Sequence, residues 1–509
     1  VRRRDLLLGA AALPFGSGLL YQLSEVPLAQ TGDPAPFSAA QVRQLARQLA
    51  EKPFAAPETS LPDKLRDLPY DLYRDIRWMP ERSLWRGENL PFEVQFFHRG
   101  FLYTNRVELY VVTEGQARPI VYSRDLFTFG RVEPPAPDAN LGFSGFRIHG
   151  PINSPNYFDE IAVFQGASYF RALAKGQTYG LSARGLAIKT ADAAGEEFPV
   201  FRRFWLERPA PGTSSVVVHA LLDSESATAA YRFTIRPGEN TMFDVEMAVY
   251  PRVEIAQAGL APLTSMFYFA PNDRVGIDDF RPAVHDSDGL AIWNGRGERI
   301  WRPLTNPEKL QVSVFGDVNP RGFGLMQRKR EFVDYEDLEA RYERRPSLWV
   351  EPIGDWGEGG VHLIEIPTKE EIHDNIVAFW RPKQPMQKGG EYIYNYRLHW
   401  CAKNPFELPE LARMTTTSIG AVGEERRLFV LDVEGPQLKD IQIDESVKPN
   451  VGASVGKVDH AIVQPNPETG GWRLSFQLTP GDEPVIELRA QLTRGDQLLS
   501  EVWVYRWTQ

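Results

Sequence analysis

The sequence predicts a mainly β protein, with a large sandwich of packed sheets followed by a smaller one. Three observations carry that prediction. Many short runs alternate apolar and polar residues at period two. The 41 Gly and 40 Pro are spread along the chain without a repeat and punctuate those runs. Aromatic residues reach 12%, with 29 Phe, 18 Tyr and 12 Trp, which excludes a largely disordered chain. At 509 residues the chain has room for two to four domains of ~100–200 residues each.

The formal net charge is −10, and no basic stripe is visible, so a nucleic-acid partner is not expected. Cys401 is the single cysteine. It can form no intrachain disulfide, and its place in an alternating run predicts a small buried hydrophobe rather than a nucleophile. The eight His are scattered, with no HxxxH or CxxC pair, so no metal site is expected.

Residues 1–30 resemble an export segment. Arg2-Arg3-Arg4-Asp5-Leu6-Leu7-Leu8 opens an apolar run to Leu20 that is short for a membrane span. The adjacent arginines match a twin-arginine motif, which predicts a periplasmic protein with no stable membrane anchor after signal removal.

The mature chain begins with one amphipathic helix from Ser38 to Glu51, with Val42, Leu45, Ala46 and Leu49 on one face. After a Pro-rich stretch, strands are expected at 92–96, 107–112, 160–165, 215–222, 229–235 and 242–250. Others follow at 361–366, 376–380 and 391–400, with a short helix around Tyr335 to Arg344. Turns at Pro237-Gly238, Asn294-Gly295 and Lys388-Gly389-Gly390 separate them. Texture changes near Asn404-Pro405. The runs 427–433, 472–478, 485–490 and 500–505 fit an immunoglobulin-like sandwich without its cysteines. The expected organisation is therefore a large domain over 31–403, a linker over 404–419 and a small domain over 420–509.

The densest polar text lies between 278 and 375, where carboxylates, arginines and tryptophans interleave with Gly-rich turns. An indole stacks on the apolar face of a sugar while Arg, Asp and Asn bond its hydroxyls, so this text suits a polysaccharide cleft. Two placed carboxyl groups suffice for glycoside hydrolysis, with no metal or organic cofactor. Gly322-Phe323-Gly324 lacks the GK[ST] ending of a phosphate loop. Gly142-Phe143-Ser144-Gly145 has the wrong spacing for a serine-hydrolase elbow.

Long motifs through these segments resemble the periplasmic glucan biosynthesis proteins of the OpgG/OpgD family, also called MdoG/MdoD. They include Gly142-Phe143-Ser144-Gly145-Phe146-Arg147, Gly166-Ala167-Ser168-Tyr169-Phe170-Arg171 and Tyr179-Gly180-Leu181-Ser182-Ala183-Arg184. His285-Asp286-Ser287-Asp288 and Glu371-Ile372-His373-Asp374-Asn375 continue the match, which runs over about 70–509. The twin-arginine start resembles the D branch more than the G branch.

The resemblance implies a galactose-mutarotase-like β-supersandwich followed by an immunoglobulin-like domain. It also implies an inverting endo-β-1,2-glucanase acting on the backbone of osmoregulated periplasmic glucans, and a homodimer. Asp374 matches the family's general acid and Asp286 its base, working through a water relay. Glu371 is a third acidic position and Tyr342 matches a tyrosine of the site. Arg281, His285, Asp288, Arg328, Arg345, Trp349 and Trp356 are the candidate glucan contacts. Two other readings stay open from the sequence: a transglycosylase using the same site, and a non-catalytic glucan-binding protein.

Overall fold

A computed structural model describes residues 33–508. The expected export segment over 1–30 lies outside the described residues. The chain is mainly β and divides into two compact units. The first comprises the described residues up to Pro262 with Ile353–Asp355 and Phe379–Trp400. The second comprises Leu263–Pro352, Trp356–Ala378 and the residues from Cys401 onward. No helix among the described residues is long and apolar enough to cross a membrane.

In the first unit the expected helix forms over Ala39–Ala50 with Ser38 as its N-cap, closed by a reciprocal bond with Gln41. Its buried face, Val42 and Ala46, packs on Trp205, Leu221, Ala230 and Ala248. Those residues belong to the sheet ordered Glu108–Thr113, Val200–Glu207, Val216–Asp223, Ala227–Arg236, Thr241–Pro251 and Tyr392–Cys401. Glu108–Thr113 and Val200–Glu207 run parallel; the later neighbours are antiparallel. A second sheet takes Glu93–His98, Phe143–Ser154, Tyr157–Gln165, Tyr169–Ala172 and Ser182–Arg184 in order. Phenylalanines close the sandwich: Phe164 lies 5.6 Å from Phe204 and 5.3 Å from Phe233, and Phe170 lies 5.9 Å from Phe243.

In the second unit one sheet runs Ser347–Ile353, Gly322–Met326, Gly289–Trp293, Arg299–Pro303, Val502–Thr508, Val485–Arg494 and Val447–Ala453. The last strand of the chain pairs in parallel with Arg299–Pro303, at Ile300 with Val502 and Trp301 with Trp503. A four-stranded antiparallel sheet, Arg413–Val422, Arg426–Glu434, Gly471–Thr479 and Lys457–Asn466, packs on the C-terminal part of the first. Phe429, Leu431, Leu474 and Phe476 meet Leu488, Leu492, Trp503 and Tyr505 in its core. Cys401 is buried as expected, and burial pushes its thiol up to about 12.

The helix expected around Tyr335 to Arg344 does not form. Two 3₁₀ turns, Phe332–Asp334 and Tyr342–Arg344, take its place. Arg341 between them is left-handed, with φ 47°, which interrupts any continuous helix.

The Phe429–Phe476 pair, stacked with centroids 5.0 Å apart and fully buried, is the centre of the four-stranded sheet's core. Phe476→Ala should cost about 3–5 kcal/mol of stability. An unchanged denaturant midpoint in that variant would remove the pair from the core.

Candidate active site

Adjacent residues of one short strand, Phe267–Phe269, and its flank position both acidic segments of the second unit. The Met266 carbonyl accepts the Asp286 N–H at 2.8 Å. Phe267, next in sequence, pairs with His285 and is clasped by the amide of Asn375. Asn375 Oδ1 accepts the Phe267 N–H at 2.9 Å, and its Nδ2 donates to the carbonyls of Phe267 at 2.9 Å and Ile366 at 3.0 Å. The loop that carries Glu371 and Asp374 is therefore tied at its C-terminal end to the strand that holds Asp286. Asn306 ties the other end: its Oδ1 accepts the Thr368 N–H at 2.9 Å, and its Nδ2 donates to the carbonyls of Tyr268 and Thr368.

The two acids sit in opposite environments. Asp286 is 0% exposed and forms an ion pair with the Arg345 guanidinium. Asp374 is exposed. A chain of polar contacts runs from Asp286 to Glu371, three residues before Asp374. The Arg345 guanidinium lies 4.2 Å over the Tyr342 ring. Tyr342 Oη donates to Glu371 Oε2 at 3.4 Å, and Arg281 donates to the same oxygen at 2.8 Å. Arg281 also grips Asp337 at 2.8 Å and Asp279 at 2.7 Å. Burial pulls the Arg281 guanidinium down, but these carboxylates outweigh it and hold it above its ordinary value. It is a buried tie between three loops.

His285 is fully buried, stacked on Phe267 at 5.5 Å. Its Nδ1 lies 2.8 Å from Gln327 Oε1. Gln327 Nε2 donates to the carbonyls of His285 and Tyr342, so its oxygen must face the ring and Nδ1 carries the proton. Burial, with the charge of Lys329, pushes the imidazole down to about 3. Asp288 accepts the Arg328 N–H at 3.1 Å through Oδ2, while its Oδ1 is buried without a partner among the described residues. Burial raises its carboxyl above the usual range.

The remaining expected contacts are placed differently. Arg328 spans to Glu501 at 2.5 and 2.9 Å and stacks 3.5 Å over Trp301. Trp349 is 1% exposed, lies against Phe406 at 6.2 Å, and fills the space left by Gly322, where a Cβ would come within 2.3 Å of the indole. Trp356 is 4% exposed. Both indoles face protein. Sequence reasoning missed Asn375, Gln327, Asn306 and Asp337 as the groups that fix the loops. Only Asn375 carried a signal, through its place directly after Asp374. Among the described residues no cluster of three His, Cys, Asp or Glu stands ready for a metal ion.

Residues 37–507 match the family model described as "Periplasmic glucan biosynthesis protein, MdoG". The chain is 59% identical over its full length to the full-length glucans biosynthesis protein G of Bradyrhizobium diazoefficiens. It is 60% identical, again over both full lengths, to that of Rhodopseudomonas palustris. Over 95% of this chain and 88% of the relative, it is 53% identical to glucans biosynthesis protein G of Vibrio cholerae. These three carry the G name, whereas the start that resembles the D branch lies outside the described residues.

Removing one partner of a buried ion pair leaves the other charge uncompensated. Arg345→Met should therefore cost about 3–5 kcal/mol, and Arg345→Met combined with Asp286→Asn should regain most of it. Thermal unfolding of the three proteins checks this; a single variant as stable as the parent would sink it. His285 folds neutral and takes up a proton on unfolding below about pH 6.5. Its contribution is full above that pH and is lost as pH falls toward 3, by up to about 1.4 kcal/mol per pH unit. Asp273, raised by burial to about 6, acts with the opposite sign but is common to parent and variant. The unfolding free energy of the parent should thus fall more steeply than that of His285→Gln as acid is added. Equal slopes would show that the imidazole folds protonated.

Proposed function

Because the chain belongs to the MdoG family of periplasmic glucan biosynthesis proteins, we propose that it is a periplasmic endo-β-1,2-glucanase, exported through its twin-arginine segment, that cleaves the backbone of osmoregulated glucans with inversion. The observation that carries the reading is the unequal pair of carboxyl groups hung from adjacent residues 266 and 267. Asp286 is buried and balanced by Arg345; Asp374 is open to solvent three residues beyond Glu371.

In this reading Asp374 donates its proton to the glycosidic oxygen as the bond to the anomeric carbon breaks. The water exclusion that such an acid needs is supplied by the glucan when it covers the exposed carboxyl. Asp286, having no solvent access of its own, takes the proton of the attacking water through intervening waters. The Arg345 guanidinium keeps the base in place, and Tyr342, lying beneath that guanidinium, links it to Glu371. Arg281 holds Glu371 from the other side, which fixes the loop on which the acid rides.

Incubation of the purified protein with linear β-1,2-glucan tests the reading. Shorter linear products of inverted anomeric configuration are expected, whereas cyclic or rearranged products indicate transfer to a sugar hydroxyl. Loss of a general acid costs about 10²–10⁴ in rate, so Asp374→Asn should fall by that factor with an unchanged circular dichroism spectrum. A parental rate in Asp374→Asn would refute the acid assignment, and an intact parent that leaves the glucan uncut would favour a binding role.

A further inference from the structure

A cavity of about 100 Å³ lies within the second unit, lined from the strands Gly289–Trp293, Arg299–Pro303 and Gly322–Met326 and from the segment 402–413. One water needs only about 10–15 Å³. The lining is strongly cationic. Two of its arginines are neutralised in place: Arg328 by Glu501, and Arg413 by Glu407 at 2.6 Å. Arg299 and Arg330 have no carboxylate within ion-pair distance among the described residues.

Arg330 is held only by neutral oxygens. Its Nη2 donates to Ser347 Oγ at 2.9 Å and to the Ala402 carbonyl at 2.8 Å, and its Nη1 to the carbonyls of Glu343 and Arg345. The Arg299 guanidinium lies 3.5 Å over the Trp293 ring. Four buried nitrogens on the lining side chains find no acceptor: Nε and Nη2 of Arg299, Nε of Arg330 and the indole Nε1 of Trp349. All four are donors. Unpaired donors of this kind are costly, so the protein around the cavity is short of acceptors, and Glu410 and Glu501 attract Arg299 only from beyond ion-pair distance. Burial lowers both guanidinium pKa values, that of Arg299 to about 10; an arginine side chain stays protonated at neutral pH.

We propose that this cavity binds a phosphate group, with the guanidinium groups of Arg299 and Arg330 balancing its charge. A phosphate carries about −1.5 to −2 near neutral pH when monoesterified and offers only acceptors on three oxygens, which matches two unneutralised arginines. The guanidinium fork suits phosphate oxygens better than an ammonium would. The site is separate from the acid pair, but Arg330 links the two regions, because it also holds the carbonyl of Arg345, the partner of Asp286.

Calorimetric titration of the full chain with inorganic phosphate and, separately, with glucose 6-phosphate tests the proposal at constant ionic strength near neutral pH. Saturable binding of at least one is expected. Phosphate alone would mark a free anion as the occupant; the ester alone would mark a group carried on a larger molecule. Arg299→Leu should weaken binding about tenfold or more while leaving glucan cleavage unchanged, and Arg330→Met should weaken it similarly. An indole resonance assigned through Trp349→Phe should shift on phosphate addition, which reads the site even where an arginine variant folds poorly. Failure of both compounds to bind saturably, or binding undiminished in Arg299→Leu with a stationary Trp349 resonance, would overturn the proposal.

Discussion

The ion pair between Asp286 and Arg345 is the constraint on which the site depends. Both side chains are out of contact with water, so each would be expensive alone. Such a pair adds little stability over an apolar substitute, and its retention has to be explained by what it positions. Arg345 follows directly after the 3₁₀ turn Tyr342–Arg344, and its guanidinium caps the Tyr342 ring. Tyr342 reaches Glu371, and Glu371 is gripped by Arg281 together with Asp337 and Asp279. Displacing Arg345 would thus free a buried carboxylate and loosen three loops that have few backbone pairings of their own.

Amides do what strands do elsewhere. The loops between 304 and 375 cannot pair as ladders, so their backbone groups are satisfied by Asn306 and Asn375, each of which bonds main chain on both sides of a loop. Asparagine suits this role because one short side chain carries both a donor and an acceptor. This division of labour explains why the acidic residues can differ so much in exposure while remaining in fixed register with one strand.

The strands were legible in the sequence wherever one face is buried and the other wet, as in Gly471–Thr479 and Val485–Arg494, because period-two alternation is a direct record of that geometry. The edge strand Gln311–Val318 was not legible. It turns Val312, Val314 and Val318 outward and keeps Gln311, Ser313 and Asp317 partly covered, which inverts the usual pattern. The family motifs mark the acidic segments in the text, whereas the burial of Trp349 and Trp356 cannot be read from it. A tryptophan that stacks on a sugar and one that fills a gap beside glycines look alike as text. Trp349 is of the second kind, since Gly322 leaves room for its ring. The aromatic excess likewise goes largely into packing, in the Phe146, Phe164, Phe170, Phe204 and Phe233 cluster of the first unit.

The unequal burial of the acids bears on how hydrolysis would be timed. In the proposed roles a buried base and an exposed acid would not be interchangeable, so the substrate would approach productively from one side only. With Asp374 exposed, its carboxyl and the leaving oxygen would become competent together only when a glucan displaced solvent from the loop 366–375. With Asp286 sealed behind Arg345, a water molecule reaches it only along a path that the protein leaves open. Catalysis in the proposed roles would then require an ordered water chain and a seated sugar at once. Such a site would hydrolyse slowly when short fragments filled it poorly and would favour chains long enough to cover the acid, because binding energy from distant sugars would exclude water at the scissile bond.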